Sequence, residues 1–224
     1  MSLFINDICI GLHSKCNWKC NYCVARWDNA KIDENLILEK LLPIKNKLRT
    51  LWLSGGEPGL LSVQFWDLLF YSIGFSIKIC TNGTFILKGY HKRYKPQISQ
   101  IMIHCVEEID QDINPIVLEF IKKSDIPKIV NIVLHKYNVH LLSSFLDKYK
   151  DIRIELNFAD QTFKNINAKY NKQYNYALDK ESIIEIIKQL SNFEGYDQYT
   201  SFLTKKIIQN DFVCLNPWSN KNHD

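Results

Sequence analysis

No stretch of this sequence stays apolar for the roughly 18 residues that a membrane span needs. Lys, Asp or Gly interrupts every run first. The opening residues, Met1-Ser2-Leu3-Phe4-Ile5-Asn6-Asp7, hold no basic segment ahead of an apolar one. That argues against export and for the cytoplasm. Charge of one sign is also lacking, since 28 Lys and Arg stand against 24 Asp and Glu. A net +4 is too small a bias to point to nucleic acid or an anionic membrane as partner. Internal repeats and low-complexity tracts are missing, and no Gly/Ser linker precedes the C-terminal region. The cysteines lack an even count: there are 7, of which Cys16, Cys20 and Cys23 crowd together. An odd, clustered set suits a reducing compartment and a metal site better than a disulfide framework.

What is present is a chain of 224 residues, 46% apolar and 23% charged, enough to bury a core. Short β-branched runs alternate with longer amphipathic ones. Strands are expected at 3–12, 50–54, 76–81, 100–106, 128–135 and 151–158. Helices are expected at 33–48, 62–73, 115–123, 139–148 and 180–191, the first capped by Asp33 and kinked or split at Pro43. Residues 87–96 read as a short helix or loop. Six strands alternating with helices imply an α/β fold, a parallel sheet with right-handed crossovers and the helices outside. Six units are short of a closed TIM barrel, so a partial (β/α)6, TIM-like barrel is expected, with function at the C-terminal ends of its strands. Residues 159–177 turn polar and read as a loop or insertion. The segment 193–224 is weakly patterned, giving a core at 1–192 and a C-terminal appendage.

Directly after the first strand comes Cys16-Asn17-Trp18-Lys19-Cys20-Asn21-Tyr22-Cys23. Three thiolates at CxxxCxxC spacing converge on a metal rather than pair. Zinc takes four ligands, and His13, three residues upstream, could serve as a fourth, but the two-plus-two spacing of a zinc site is absent. A cubane iron–sulfur cluster also normally takes four cysteines, so three leave one iron open. Buried structural thiols are the plain alternative. The second strand ends in Ser54-Gly55-Gly56-Glu57-Pro58, where the glycines allow close backbone approach and Glu57 supplies a carboxylate. The third ends in Cys80-Thr81-Asn82-Gly83-Thr84, which by itself says only "turn".

Together these runs resemble the radical S-adenosylmethionine superfamily, with Tyr22 at the aromatic position of the cysteine loop. The resemblance covers about residues 5–158. It implies a [4Fe–4S] cluster on Cys16, Cys20 and Cys23, whose open iron chelates S-adenosylmethionine. It further implies that the loop Gly55, Gly56, Glu57, Pro58 hydrogen-bonds the cofactor's ammonium group, and that Thr81 and Asn82 lie beside it. His104, near Glu107 and Glu108, stands where relatives place polar residues by the ribose or substrate. Asn131, which interrupts an apolar strand, and Asn157 at the end of the sixth strand occupy similar places. Cys9 and Cys80, inside apolar runs, read as small core residues.

The C-terminal Phe212-Val213-Cys214-Leu215-Asn216-Pro217-Trp218 resembles the opening of the auxiliary-cluster (SPASM or twitch) extension of peptide-modifying relatives. No further cysteine follows Cys214, and one thiol cannot bind a second cluster. A lost, vestigial extension, a truncated chain and another role for Cys214 stand as the readings, a free, inert cysteine foremost. The expected activity is reductive cleavage of S-adenosylmethionine to a 5′-deoxyadenosyl radical that abstracts hydrogen from a peptide, sugar or small metabolite. A flavodoxin or ferredoxin is the implied electron donor. The alternatives are a glycyl-radical-enzyme activase, a deazaguanine-type synthase, or a non-catalytic iron–sulfur or zinc protein. Against the synthase, Val24-Ala25-Arg26 follows Cys23 where those enzymes usually have Asp-Thr.

Overall fold

The computed structural model describes residues 5–12, 15–20, 22–23, 32–72, 75–159 and 176–209. His13, Val24-Ala25-Arg26, most of the polar 159–177 segment and Cys214 with its neighbours lie outside the described residues.

Six strands form one parallel sheet in sequence order: β1 (Ile5–Gly11), β2 (Leu48–Ser54), β3 (Ser76–Thr81), β4 (Ile98–His104), β5 (Lys128–Leu134) and β6 (Ile154–Phe158). Each strand neighbours the next in sequence, which is the strand order of a partial (β/α)6, TIM-like barrel. The register brings Gly11 opposite Ser54 and Cys80 opposite Met102, so β1 and β2 end level with each other.

The helices follow local signals. Asp33 caps α1 (Glu34–Leu41), accepting from the Asn35 and Leu36 amides at 3.0 Å. Pro43 converts the next turn, Leu42–Ile44, into a 3-10 turn, so the run predicted through 48 stops there and β2 begins at Leu48. Then come α2 (Val63–Ser72), α3 (Thr84–Leu87), α4 (Tyr90–Arg93), α5 (Pro115–Lys123), α6 (Leu142–Lys148), α7 (Lys180–Leu190) and α8 (Asp197–Gln209). The uncertain 87–96 stretch therefore holds the end of α3, the short α4 and the start of a 3-10 turn.

The chain divides into two units: residues 1–19, 25–107 and 113–130 in the first, and 20–24, 108–112 and 131–224 in the second. In the first, Leu51, Leu53, Ile77, Ile79, Ile101 and Ile103 alternate with part-exposed residues, so one sheet face is fully buried. Cys9 and Cys80 fall on the alternate set: Cys9 is exposed and Cys80 half-buried, which corrects their reading as core residues. Trp66 on α2, fully buried, gathers Phe65, Phe70, Phe85, Tyr90 and Tyr94 around it, with Phe70 and Tyr94 stacked at 4.5 Å. In the second unit, α8 buries Tyr199 and Leu203. The Tyr199 hydroxyl donates to Glu155 Oε2 at 2.5 Å and accepts from the Leu156 amide at 3.2 Å. The weakly patterned tail thus contains a helix docked on β6.

Candidate functional site

In the first unit, the turns after β1, β2 and β3 are tied together. The chain leaving β1 is held by Leu12 N–H donating to Ser54 O (2.7 Å) and Glu57 N–H donating to Lys15 O (2.7 Å). Gly55 has φ +81°, in the left-handed region, and a Cβ there would meet Gly11 Cα at 3.0 Å. At Gly56 a Cβ would stand 2.7 Å from the Lys15 carbonyl oxygen. Only a Gly-Gly pair lets this loop lie against the backbone that leads into Cys16.

Glu57 has no exposed surface. Its Oε1 accepts from the Gly59 amide (2.6 Å) and the Thr81 hydroxyl (2.8 Å), and its Oε2 from the Asn82 amide (2.7 Å). Burial pushes the carboxyl above the usual carboxylate range, against the pull of those bonds. The carboxylate therefore joins the β2 turn to the β3 turn, and Pro58, also buried, starts a 3-10 turn beside it.

Asn82 carries the network to the cysteine loop. Its Nδ2 donates to Asn17 Oδ1 at 2.9 Å and lies 3.8 Å from Cys16 Sγ. Its Oδ1 accepts from the Thr84 amide and hydroxyl (3.1 and 2.7 Å), and Asn17 Nδ2 donates to Thr84 Oγ1 at 3.1 Å. Gly83, at φ +96°, makes the turn. Further along the loop, the Lys19 amide donates to Glu107 Oε1 at 2.9 Å, and Trp18 meets His104 edge-on at 5.9 Å. Upstream, Lys15 pairs with Glu34 of α1 at 2.5 Å, and Glu34 also takes the Ser62 amide and hydroxyl. Burial alone would raise the Glu34 carboxyl, but Lys15 and Ser62 hold it below its ordinary value.

In the second unit, the Cys23 amide donates to Cys20 O at 3.1 Å, closing a tight turn around Tyr22. Tyr22 is buried, and its hydroxyl is pushed far up, first by burial and then by the Cys20 and Glu108 charges. Its ring lies 5.4 Å from that of His135, just past the end of β5. His135 is buried with its Nε2 3.0 Å from Glu108 Oε2. Asn131 is buried within β5, and Asn157 is half-buried between Leu156 and Phe158 on β6. Cys105, buried after β4, has its thiol pushed up to about 12 by burial, which leaves it inert at neutral pH.

Cys16, Cys20 and Cys23 carry no disulfide, Cys16 being exposed and the other two half-buried. Among the described residues no three His, Cys, Asp or Glu side chains are gathered tightly enough to hold a metal ion by themselves. By residue chemistry alone, three thiols at this spacing are the donor set that an iron–sulfur cluster with one open iron would take. The first unit thus gathers Gly55, Gly56, Glu57, Pro58, Thr81 and Asn82 about the loop that begins at Cys16, with His104 against Trp18. Asn17, Thr84 and Glu34 join these surroundings, and His135 stands beside Tyr22 in the second unit; none of the four stands among the sequence candidates. Of these, His135 was within reach of the strand-end rule, since it is the last residue of the strand expected at 128–135.

No protein-family model matches the chain. It is 33% identical over 95 residues to an S-adenosylmethionine-dependent nucleotide dehydratase of Fibrobacter sp. (strain UWH6), a match covering 36% of this chain and 28% of that protein. Its fold is similar to that of native anSMEcpe with bound AdoMet and Cp18Cys peptide, with a TM-score of 0.64 at 18% identity, covering 93% of this chain and 62% of that one. The same protein with AdoMet and Kp18Cys peptide gives 0.62 at 16% identity over the same shares. The chain thus spans 62% of the length of those solved structures. AnSMEcpe is an anaerobic sulfatase-maturating radical S-adenosylmethionine enzyme. Among the described residues no helix is long and apolar enough to cross a membrane.

Proposed function

We propose that this chain is a radical S-adenosylmethionine enzyme acting on a peptide. One observation carries the reading: the hydrogen-bonded path Glu57–Asn82–Asn17 that joins the turns after β2 and β3 to the loop of Cys16. A turn needs no such path for its own sake, whereas a cofactor spread over three turns needs them at fixed spacing. Cys16, Cys20 and Cys23 would hold the [4Fe–4S] cluster. When bound, that cluster supplies the electron that cleaves S-adenosylmethionine to a 5′-deoxyadenosyl radical.

The remaining roles belong to the chain itself. Gly55 and Gly56 expose backbone to the cofactor's ammonium group, while Glu57 and Pro58 set the loop's path. Thr81 anchors Glu57, and Asn82 positions Asn17 beside Cys16. Tyr22, His104, Asn131 and Asn157 are the further candidates for cofactor contact. A core at 1–192 with an appendage at 193–224, a flavodoxin or ferredoxin as electron donor, and a cytoplasmic setting belong to the same proposal. The peptide substrate draws on anSMEcpe, whose solved structures hold peptides beside AdoMet. The match to a nucleotide dehydratase favours a second reading, a nucleotide substrate.

Anaerobic reconstitution tests the core of the proposal. About four irons per chain are expected, lost in the triple Cys16/Cys20/Cys23→Ala variant, with 5′-deoxyadenosine released on reduction by dithionite. Stoichiometric zinc with no iron uptake would overturn it. Faster 5′-deoxyadenosine release with a nucleoside triphosphate than with any peptide would select the second reading.

A further inference from the structure

Beside Tyr22, within the second unit, lies a cavity of about 310 Å³ lined by Glu108, Ile109, Asp110, His135, Tyr137, Asn138, Leu141 and Tyr176. Its size suits a single side chain or small organic group. Tyr176 and His135 meet edge-on at 5.0 Å and 90°, and Tyr176 and Tyr137 at 5.3 Å and 80°, so the aromatic walls stand at right angles. Two carboxylates, Glu108 and Asp110, share the lining.

The carboxylate of Glu108 is oriented rather than spent. His135 Nδ1 accepts the Tyr137 amide at 3.3 Å, which leaves the ring proton on Nε2 to donate to Glu108 Oε2 at 3.0 Å. Asn138 Nδ2 supports the same oxygen at 3.4 Å while donating to Val133 O at 3.1 Å. The Asn138 Oδ1 accepts the His135 amide at 2.9 Å, which fixes the whole corner. Among the described residues, no hydrogen bond reaches Glu108 Oε1, and Asp110, exposed, has no ion pair. Lys136, outside the lining, already rests its ammonium over the Tyr137 ring at 4.9 Å, so this ring system accepts a cation on its face.

We propose that this cavity binds a cationic side chain, a guanidinium or ammonium group, of the peptide substrate. Aromatic faces at right angles and a carboxylate with one oxygen uncommitted among the described residues are what such a group requires. A polyphosphate would meet Glu108 and Asp110 instead, so the cavity sorts basic peptides from nucleotides. The link to the chemistry is Tyr22, which touches His135 at 5.4 Å and lies between Cys20 and Cys23. The inference rests on the peptide reading and assigns that peptide its basic residue.

The test uses the anaerobically reconstituted chain and two probes, N-acetyl-Gly-Arg-Gly amide and the same peptide with citrulline in place of arginine, titrated by calorimetry. The arginine peptide should bind at least about tenfold more tightly than the neutral one. Glu108→Gln should abolish that preference, and Asp110→Asn should reduce it. Tyr176→Leu should weaken the arginine peptide while keeping a residual preference. Should Glu108→Gln fail to fold, Asp110→Asn and Tyr176→Leu carry the test, because neither side chain makes the hydrogen bonds that fix the His135 corner. Equal binding of the two peptides, or a preference unmoved by all three variants, overturns the proposal. Release of 5′-deoxyadenosine is followed in parallel. Release without an arginine preference removes the cavity's role and leaves the radical reading standing, whereas a preference without release removes the radical reading and leaves the cavity.

Discussion

Glu57 and Glu108 both stand just past a strand end, yet the two units use them in opposite ways. Glu57 is fully buried, and its two oxygens take three donors from two neighbouring turns. Glu108 keeps 27% of its side chain exposed, has one oxygen engaged among the described residues and lines a cavity. The same functional group can therefore build a site or present itself to a ligand, and the count of unused lone pairs separates the two cases.

Substitutions at these positions should split accordingly. The largest effect is expected for Glu57→Ala, which leaves buried donors without an acceptor and should cost about 3 kcal/mol or more in anaerobic denaturant unfolding, with S-adenosylmethionine binding lost. Gly56→Val should match it, because the new side chain runs into the Lys15 carbonyl. Glu108→Gln should change stability by about 1 kcal/mol or less, since the affected oxygens are part-exposed. Equal destabilisation by Glu57→Ala and Glu108→Gln would erase the contrast.

Asn82→Ala comes next. It removes the contacts to Asn17 and Thr84 while keeping the backbone bond to Glu57, so stability should fall by about 1–2 kcal/mol. S-adenosylmethionine affinity, read from the reduced cluster's spectrum, should weaken more than iron content falls. Iron loss in step with affinity would place Asn82 in cluster retention.

The smallest effect is one of pH, and its sign differs between two glutamates. Glu34 has its folded value lowered, so its contribution is complete above the ordinary glutamate value near about 4.3 and fades as pH falls through the folded value. Glu57 has its folded value raised, so its titration contributes below the ordinary value and loses that contribution as pH rises through the folded one. A melting-temperature series into the acid range should flatten slightly in Glu34→Gln, because the pair with Lys15 is part-exposed and screened. A steeper acid loss in that variant would reverse the assignment.

Strand order and the three motif turns were readable because each is a local pattern: alternating apolar runs, Gly-Gly, Asn-Gly and closely spaced cysteines. The side of the sheet on which Cys9 and Cys80 fall was not, because apolar neighbours on both sides erase the period-2 signal. Helix α8 escaped because its buried Tyr199 depends on partners 43 and 44 residues away on β6. Glu57 was legible as a carboxylate in a motif. Its saturation was not, since Thr81 and Asn82 reach it only once β2 and β3 pair.

The strictly sequential strand order also bears on how the chain is made. Asn17, Glu57, Asn82 and Thr84 all belong to the first three strand–turn segments, and each of those strands pairs with the one synthesised just before it. The clasp on the cysteine loop can therefore close as soon as Thr84 has left the ribosome, before Glu108 and His135 emerge from it. Pairing each strand with its neighbour in sequence keeps the entropic cost of that closure low. A nascent chain would then present Cys16 on a finished turn before the residues of the aromatic cavity emerge, so the thiols could be offered to an iron–sulfur donor during translation.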